Sequence, residues 1–67
     1  MEVILYSSNC PKCNILEKKL RQANIDFTLV QDVDLMIAKG FMSAPMLEVD
    51  GQAMDFGQAN NWIKEQE

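Results

Sequence analysis

Cys10 and Cys13 are the two cysteines of this chain, and no other residues in it are better placed to do chemistry. They frame the tetrapeptide Cys10-Pro11-Lys12-Cys13, which follows an apolar run and opens an amphipathic one. A cysteine pair with two intervening residues at a strand-to-helix junction reads as a redox motif. The unpaired N–H groups and positive end of a helix stabilise a thiolate. Cys10, at the outermost position, is therefore expected to ionise below the ordinary thiol value of about 8.5 and to act as the nucleophile. Cys13, one turn on and on the buried face, resolves the mixed disulfide that results. Pro11 fixes φ at the helix start and removes a donor that would otherwise reach the thiolate, which tunes the potential. Lys12 adds positive charge beside Cys10, although an exposed lysine in a first turn is ordinarily just solvated.

Other chemistries are short of residues. The chain has no histidine, so Cys–His acyl transfer is absent, and it has no glycine-rich phosphate loop for nucleotide chemistry. A closed tetrahedral zinc site needs four ligands, and two cysteines supply only half of one. A metal or iron–sulfur centre would require two chains, each contributing Cys10 and Cys13, and such a non-enzymatic binding module is the rival class of function. A disulfide between cysteines so close in sequence closes a tiny loop and adds little to fold stability, so the spacing points to reactivity.

The elements around the pair can be read from pattern. Val3, Ile4, Leu5 and Tyr6 form a β-branched, apolar run expected to be a strand buried on both faces. Ser7, Ser8 and Asn9 end it. Pro11 suits a first helical position, and the spacing predicts a helix over 11–23 with Cys13, Leu16, Leu20 and Ala23 inward, a Glu17–Arg21 pair outward and Asn24 as cap. Residues 25–30 alternate, with Phe27 and Leu29 on one side, and predict a second strand parallel to the first. Asp32 is expected to cap a short helix in which Val33, Met36 and Ile37 share a face, with Gly40 as its left-handed end. Residues 41–44 form a loop ahead of Pro45. Residues 46–49 and 52–54 are expected to pair antiparallel about Asp50-Gly51, the dipeptide of a two-residue type I′ turn. A final helix over 57–64 places Ala59, Trp62 and Ile63 on one side and leaves Lys64, Glu65 and Glu67 in water. The order is βαβαββα.

Composition bounds what these elements make. With 67 residues the chain reads as a single domain, 1–67, and its 48% hydrophobic content supplies a core. A domain this short buries only about 60% of the surface its unfolded chain exposes, so it is marginal unless the core is well made. Six Lys and Arg against ten Asp and Glu give a net charge of −4, and with no basic cluster neither nucleic acid nor an anionic membrane is expected as partner. The longest apolar runs, 3–6 and 35–38, fall far short of the roughly 20 residues that span a bilayer. The N-terminus lacks a secretory pattern, which makes a reducing, cytoplasmic setting the expectation.

In this order and spacing the motifs resemble the glutaredoxin branch of the thioredoxin superfamily over nearly the whole chain. The carriers are the 3–6 strand before the cysteine motif, Ser43-Ala44-Pro45 before a strand, Val49-Asp50-Gly51-Gln52, and a terminal helix with Trp62. The resemblance implies an α/β thioredoxin-like (glutaredoxin) fold, a four-stranded mixed sheet flanked by three helices. It also implies that Pro45 faces the cysteines in the cis form, although cis occurs in only about 5–6% of such bonds. Pro11, Lys12 and Pro45 would support the site. Tyr6, Ala44 and Gly57 would bind substrate, with the Ala44 backbone pairing with an extended segment.

The activity implied is reduction of protein disulfides or glutathione mixed disulfides by a monomer with no tightly bound cofactor. Glutathione is the co-substrate to consider. Yet the stretch Asp55-Phe56-Gly57-Gln58-Ala59-Asn60 keeps one glycine where glutathione users commonly have two followed by an acidic residue, and Ser7-Ser8-Asn9 replaces the basic residue often found before the cysteines. Small glutaredoxin-like proteins reduced by thioredoxin reductase, which donate electrons to ribonucleotide reductase, have a similar layout and provide the alternative. Met36, Met42, Met46 and Met54 are expected to fill gaps in the core. Phe56 and Trp62 are expected to anchor the last helix.

Overall fold

The computed structural model describes residues 1–66, so the expectation for Glu67 lies outside the described residues. The elements run β1 (Val3–Tyr6), α1 (Pro11–Gln22), β2 (Thr28–Val30), α2 (Val33–Ala38), β3 (Met46–Val49), β4 (Gln52–Met54) and α3 (Phe56–Gln66). The four strands form one mixed sheet in the order β2-β1-β3-β4. β1 is parallel to β2 through Ile4 and Thr28, and antiparallel to β3 through Ile4 and Glu48. β4 pairs antiparallel with β3.

Alternation along β1 and β3 sends Val3, Leu5, Leu47 and Val49 to one face, where they meet Leu16 and Leu20 of α1 and Ala59 and Ile63 of α3 in a single buried cluster. Trp62 and Phe56 pack at its margin, in keeping with their expected anchoring of the last helix, and Ala23 packs there from the end of α1. Lys19 Nζ donates to Asn60 Oδ1 at 2.6 Å, tying α1 to α3 on the outside. The expected Glu17–Arg21 pair forms at 3.4 Å. Among the described residues no helix is long and apolar enough to cross a membrane.

Local chemistry explains most element ends. Asn24, at φ +57°, follows the end of α1, and the N–H of Ile25 closes onto Leu20 O at 3.0 Å. This is the six-to-one bond of a Schellman motif, with the Ile25 side chain turned onto the core. It is also why β2 begins at Thr28 and not at residue 25: the first half of the expected strand is spent leaving the helix. Asp32 caps α2 as expected, accepting the Leu35 N–H at 3.1 Å, and Gly40 takes φ +81° past its end. Asp50 and Gly51, at φ +49° and +85°, make the type I′ turn. α3 starts one residue earlier than expected and runs two further. Asp55 Oδ1 accepts the Gln58 N–H at 2.8 Å while Gln58 Oε1 accepts the Asp55 N–H at 3.1 Å, a reciprocal capping box.

The structure refines one expectation about α2 and overturns one about the loop after it. Val33, Met36 and Ile37 were expected to share a face, but the sheet buries only Met36 of them, while Val33 and Ile37 are 53% and 66% exposed. A helix of six residues makes under two turns, too few to lay a full stripe on the sheet. Met42, expected in the core, is 99% exposed, because the core is already filled by α1 and α3 from the other face.

Candidate active site

The path from β1 to α1 is set by a buried serine. Ser7 is 4% exposed; its N–H donates to Val30 O at 2.9 Å, and its Oγ accepts the Asn9 N–H at 3.1 Å. Asn9 then takes φ +64°, a left-handed conformation that asparagine tolerates. The reversal delivers Cys10 to the N-cap of α1 in extended backbone, with its carbonyl accepting the Asn14 N–H at 3.0 Å and Pro11 at the first helical position. The structural importance of Ser7 was missed from sequence; the signal was a serine two residues before an asparagine, a local side-chain turn.

Cys10 and Cys13 are joined in a disulfide. Cys10 is half-buried and Cys13 is 1% exposed, so an incoming reactant meets Cys10 first. Cys10 Sγ accepts the Cys13 N–H at 3.2 Å, as an N-cap side chain should. The helix end presents unpaired N–H donors to this position, and the first turn of α1 contains no acidic residue.

Cys10 Sγ lies 3.9 Å from the carbonyl oxygen of Ala44, across 34 residues of sequence. The Ala44–Pro45 peptide is cis, and the Pro45 side chain is fully buried behind it. Of the expected supporting and binding residues, Ala44 reaches Cys10 through its carbonyl, at the cis peptide to Pro45, and Pro11 follows Cys10 directly in the chain. Lys12 Nζ sits 5.4 Å from the centroid of the Phe56 ring, so its ammonium leans toward the start of α3. Gly57 is exposed in that first turn, where an added Cβ would meet only Asp55 Oδ1 at 3.6 Å, an ordinary contact. Tyr6, expected among the substrate-binding residues, is only 3% exposed and packs edge-to-face on Phe41, with ring centroids 5.1 Å apart.

Lys39 was not singled out in the sequence. Its Nζ is 3.0 Å from Glu48 Oε2 and lies 5.2 Å and 5.9 Å from the Tyr6 and Phe41 ring centroids. Hydrogen bonding to Glu48, and then to Tyr6, holds its ammonium above its usual pKa of 10.5. The side chain straps the end of α2 to β3 and so fixes one end of the loop that carries Ala44. No sequence pattern announces a contact between residues so far apart.

A four-stranded mixed sheet with three helices and a cysteine pair at the start of the first helix is compatible with a thioredoxin-like fold, and the Cys10–Cys13 disulfide at that position supports a thiol–disulfide oxidoreductase. The chain is 28% identical over 64 residues to the thioredoxin of Methanothermobacter thermautotrophicus, a match covering 87% of this chain and 83% of that protein. No protein-family model matches it. The likeness supports the superfamily and does not single out the glutaredoxin branch.

Proposed function

We propose that the protein is a glutaredoxin-like dithiol reductant of protein disulfides and mixed disulfides, with Cys10 as nucleophile and Cys13 as resolving thiol. The Cys10 thiolate attacks one sulfur of the substrate disulfide, forming a mixed disulfide and releasing the other sulfur as a thiolate that takes up a proton. Cys13 loses its proton and attacks Cys10 Sγ, which releases the second substrate thiol and leaves the Cys10–Cys13 disulfide. Two electrons and two protons have passed to the substrate, and a reductant must return them. The observation that carries this reading is the half-buried Cys10 sulfur at a helix N-cap, 3.2 Å from the Cys13 N–H, above a Cys13 that is closed to solvent.

Two electron sources suit this chemistry in a reducing, cytoplasmic setting: glutathione, and a flavoprotein of the thioredoxin reductase kind. The commitment of the Asp55 carboxylate to the cap of α3 favours the second, because the acidic side chain near this helix is already engaged. On that reading the acceptor is a protein disulfide, as in ribonucleotide reductase. Cys10→Ser should abolish turnover of a small disulfide, whereas Cys13→Ser should accumulate a mixed disulfide visible by mass spectrometry; turnover indifferent to both changes refutes the mechanism. NADPH oxidation coupled through thioredoxin reductase, compared with glutathione and its reductase, identifies the reductant.

A further inference from the structure

Three stretches of chain meet at the Lys39 ammonium. It pairs with Glu48 Oε2 at 3.0 Å and lies 5.2 Å from the Tyr6 ring centroid and 5.9 Å from that of Phe41. Tyr6 ends β1 and directly precedes Ser7, whose side chain sets the turn into Cys10. Phe41 opens the 41–44 segment, which runs to Ala44 and the cis peptide to Pro45. Glu48 follows on β3, whose first residue, Met46, sits opposite Tyr6 in the sheet. The two rings pack on each other, and the Phe41 N–H donates to Met36 O at 3.0 Å. One cation therefore joins the approach to Cys10, the approach to Ala44 and the strand after Pro45.

We propose that Lys39 is a positioning residue for the cysteine site: it pins the 41–44 segment to the sheet and so keeps the Ala44 carbonyl beside Cys10, where that oxygen accepts the thiol S–H and restrains its ionisation. The inference rests on the reading of Cys10 as the attacking thiol. The Ala44 oxygen is 3.9 Å from Cys10 Sγ, within reach of an S–H donor, whereas a thiolate has no proton to give it. A hydrogen bond to the neutral form of a group disfavours the charged form. The carbonyl thus opposes the helix end, and the balance depends on how firmly the segment bearing it is held. That segment is neither helix nor strand and carries no charge of its own, so its hold comes from its two ends. The titratable groups on the surrounding elements are Cys13 and Lys12 of α1, Tyr6 of β1, Glu48 of β3 and Asp55 at the start of α3. Lys12 leans onto Phe56 and the Asp55 carboxylate is bonded into its cap, while Lys39 and Glu48 neutralise each other, so removing both members of that pair leaves the net charge unchanged.

The test is the pH profile of Cys10 alkylation, because loss of a merely structural contact lowers the urea midpoint and leaves that profile in place. The reduced protein is treated with iodoacetamide across the thiol range of pH, and the Cys10 adduct is followed by mass spectrometry. In Lys39→Met/Glu48→Gln the midpoint should fall by about 0.4 pH unit, the shift that one weak hydrogen bond carries. In Lys39→Arg it should stay at the wild-type value, because a guanidinium keeps both the ion pair and the ring contacts. Phe41→Leu loosens the segment while sparing the ion pair and should move the midpoint the same way, which decides the matter if the double variant does not fold. A midpoint that stays put or rises in either folded variant overturns the proposal, as does a Lys39→Arg protein that behaves like the double variant. Hydroxyethyl disulfide separates the two levels: wild-type turnover of it with unmoved midpoints defeats only the role of Lys39, and no turnover defeats the thiol chemistry beneath.

Discussion

At the scale of single residues, Cys10 and Cys13 are chemically identical groups made unequal by position. One caps a helix at the protein surface and the other lies inside it. Iodoacetamide should therefore modify Cys10 of the reduced protein much faster than Cys13, with a pH midpoint for Cys10 below about 8.5; equal, slow labelling of both would contradict the assignment. Lys39 offers a second residue-scale test. Its folded pKa is raised above 10.5, so its pairing with Glu48 and Tyr6 contributes stability that is fully present below that value and is lost as pH rises through the folded value. Urea midpoints of the wild type and Lys39→Met should differ at neutral pH, and the gap should close only above pH 10.5.

Among the elements, the ends matter more than the middles. α1, α2 and α3 each begin on a side chain that accepts a backbone N–H: Cys10, Asp32 and Asp55. At α1 the cap is also the cysteine proposed to react, so on that reading helix formation and thiolate stabilisation are one arrangement. Gly57 lies in the first turn of α3 with nothing crowding it, and a glycine inside a helix costs about 1 kcal/mol relative to alanine. Gly57→Ala should raise the urea midpoint. If Gly57 also touches substrate, as the resemblance implies, kcat/KM for a protein disulfide should fall in the same variant; a gain in stability without loss of activity would remove Gly57 from the site. The cap at Asp32 was legible because it is complete within four residues, whereas the equally local box of Asp55 and Gln58 was not called and the helix was placed one residue late. The start of β2 was not, since the helix-ending turn and the strand compete for Ile25 and only the hydrogen bond to Leu20 decides between them. The exposed face of α2 was equally hidden: Val33, Met36 and Ile37 have the spacing of an inward stripe, and nothing local shows that the sheet below meets only one of them.

For the whole molecule, one apolar cluster carries the fold. Leu5, Leu16, Leu20 and Leu47 are wholly buried, each from a different element except the two on α1. At roughly 0.05–0.15 kcal/mol per residue, a chain of 67 residues has about 3–10 kcal/mol in hand. Truncating a buried leucine costs about 2–5 kcal/mol. Leu47→Ala should therefore remove a large share of the total and lower the thermal midpoint steeply, as calorimetry would show. The same cluster holds β1 and β3 side by side, and through them it holds Cys10 and Ala44 at their separation. The geometry of the cysteine site consequently depends on a core that lies on the opposite face of the sheet from α2.

The sequence by itself determined the cysteine pair, its place at a strand-to-helix junction, the turn at Asp50-Gly51 and the order of the elements. All of these rest on backbone preferences and hydrogen bonds between near neighbours, which a linear chain already specifies. Only the tertiary structure decided that Ala44 faces Cys10 from 34 residues away, that Lys39 straps α2 to β3, and that Ile37 and Met42 stand in solvent. Burial is a property of what else has been packed, and with α1 and α3 filling one face of so small a sheet, Val33, Ile37 and Met42 had no core left to enter.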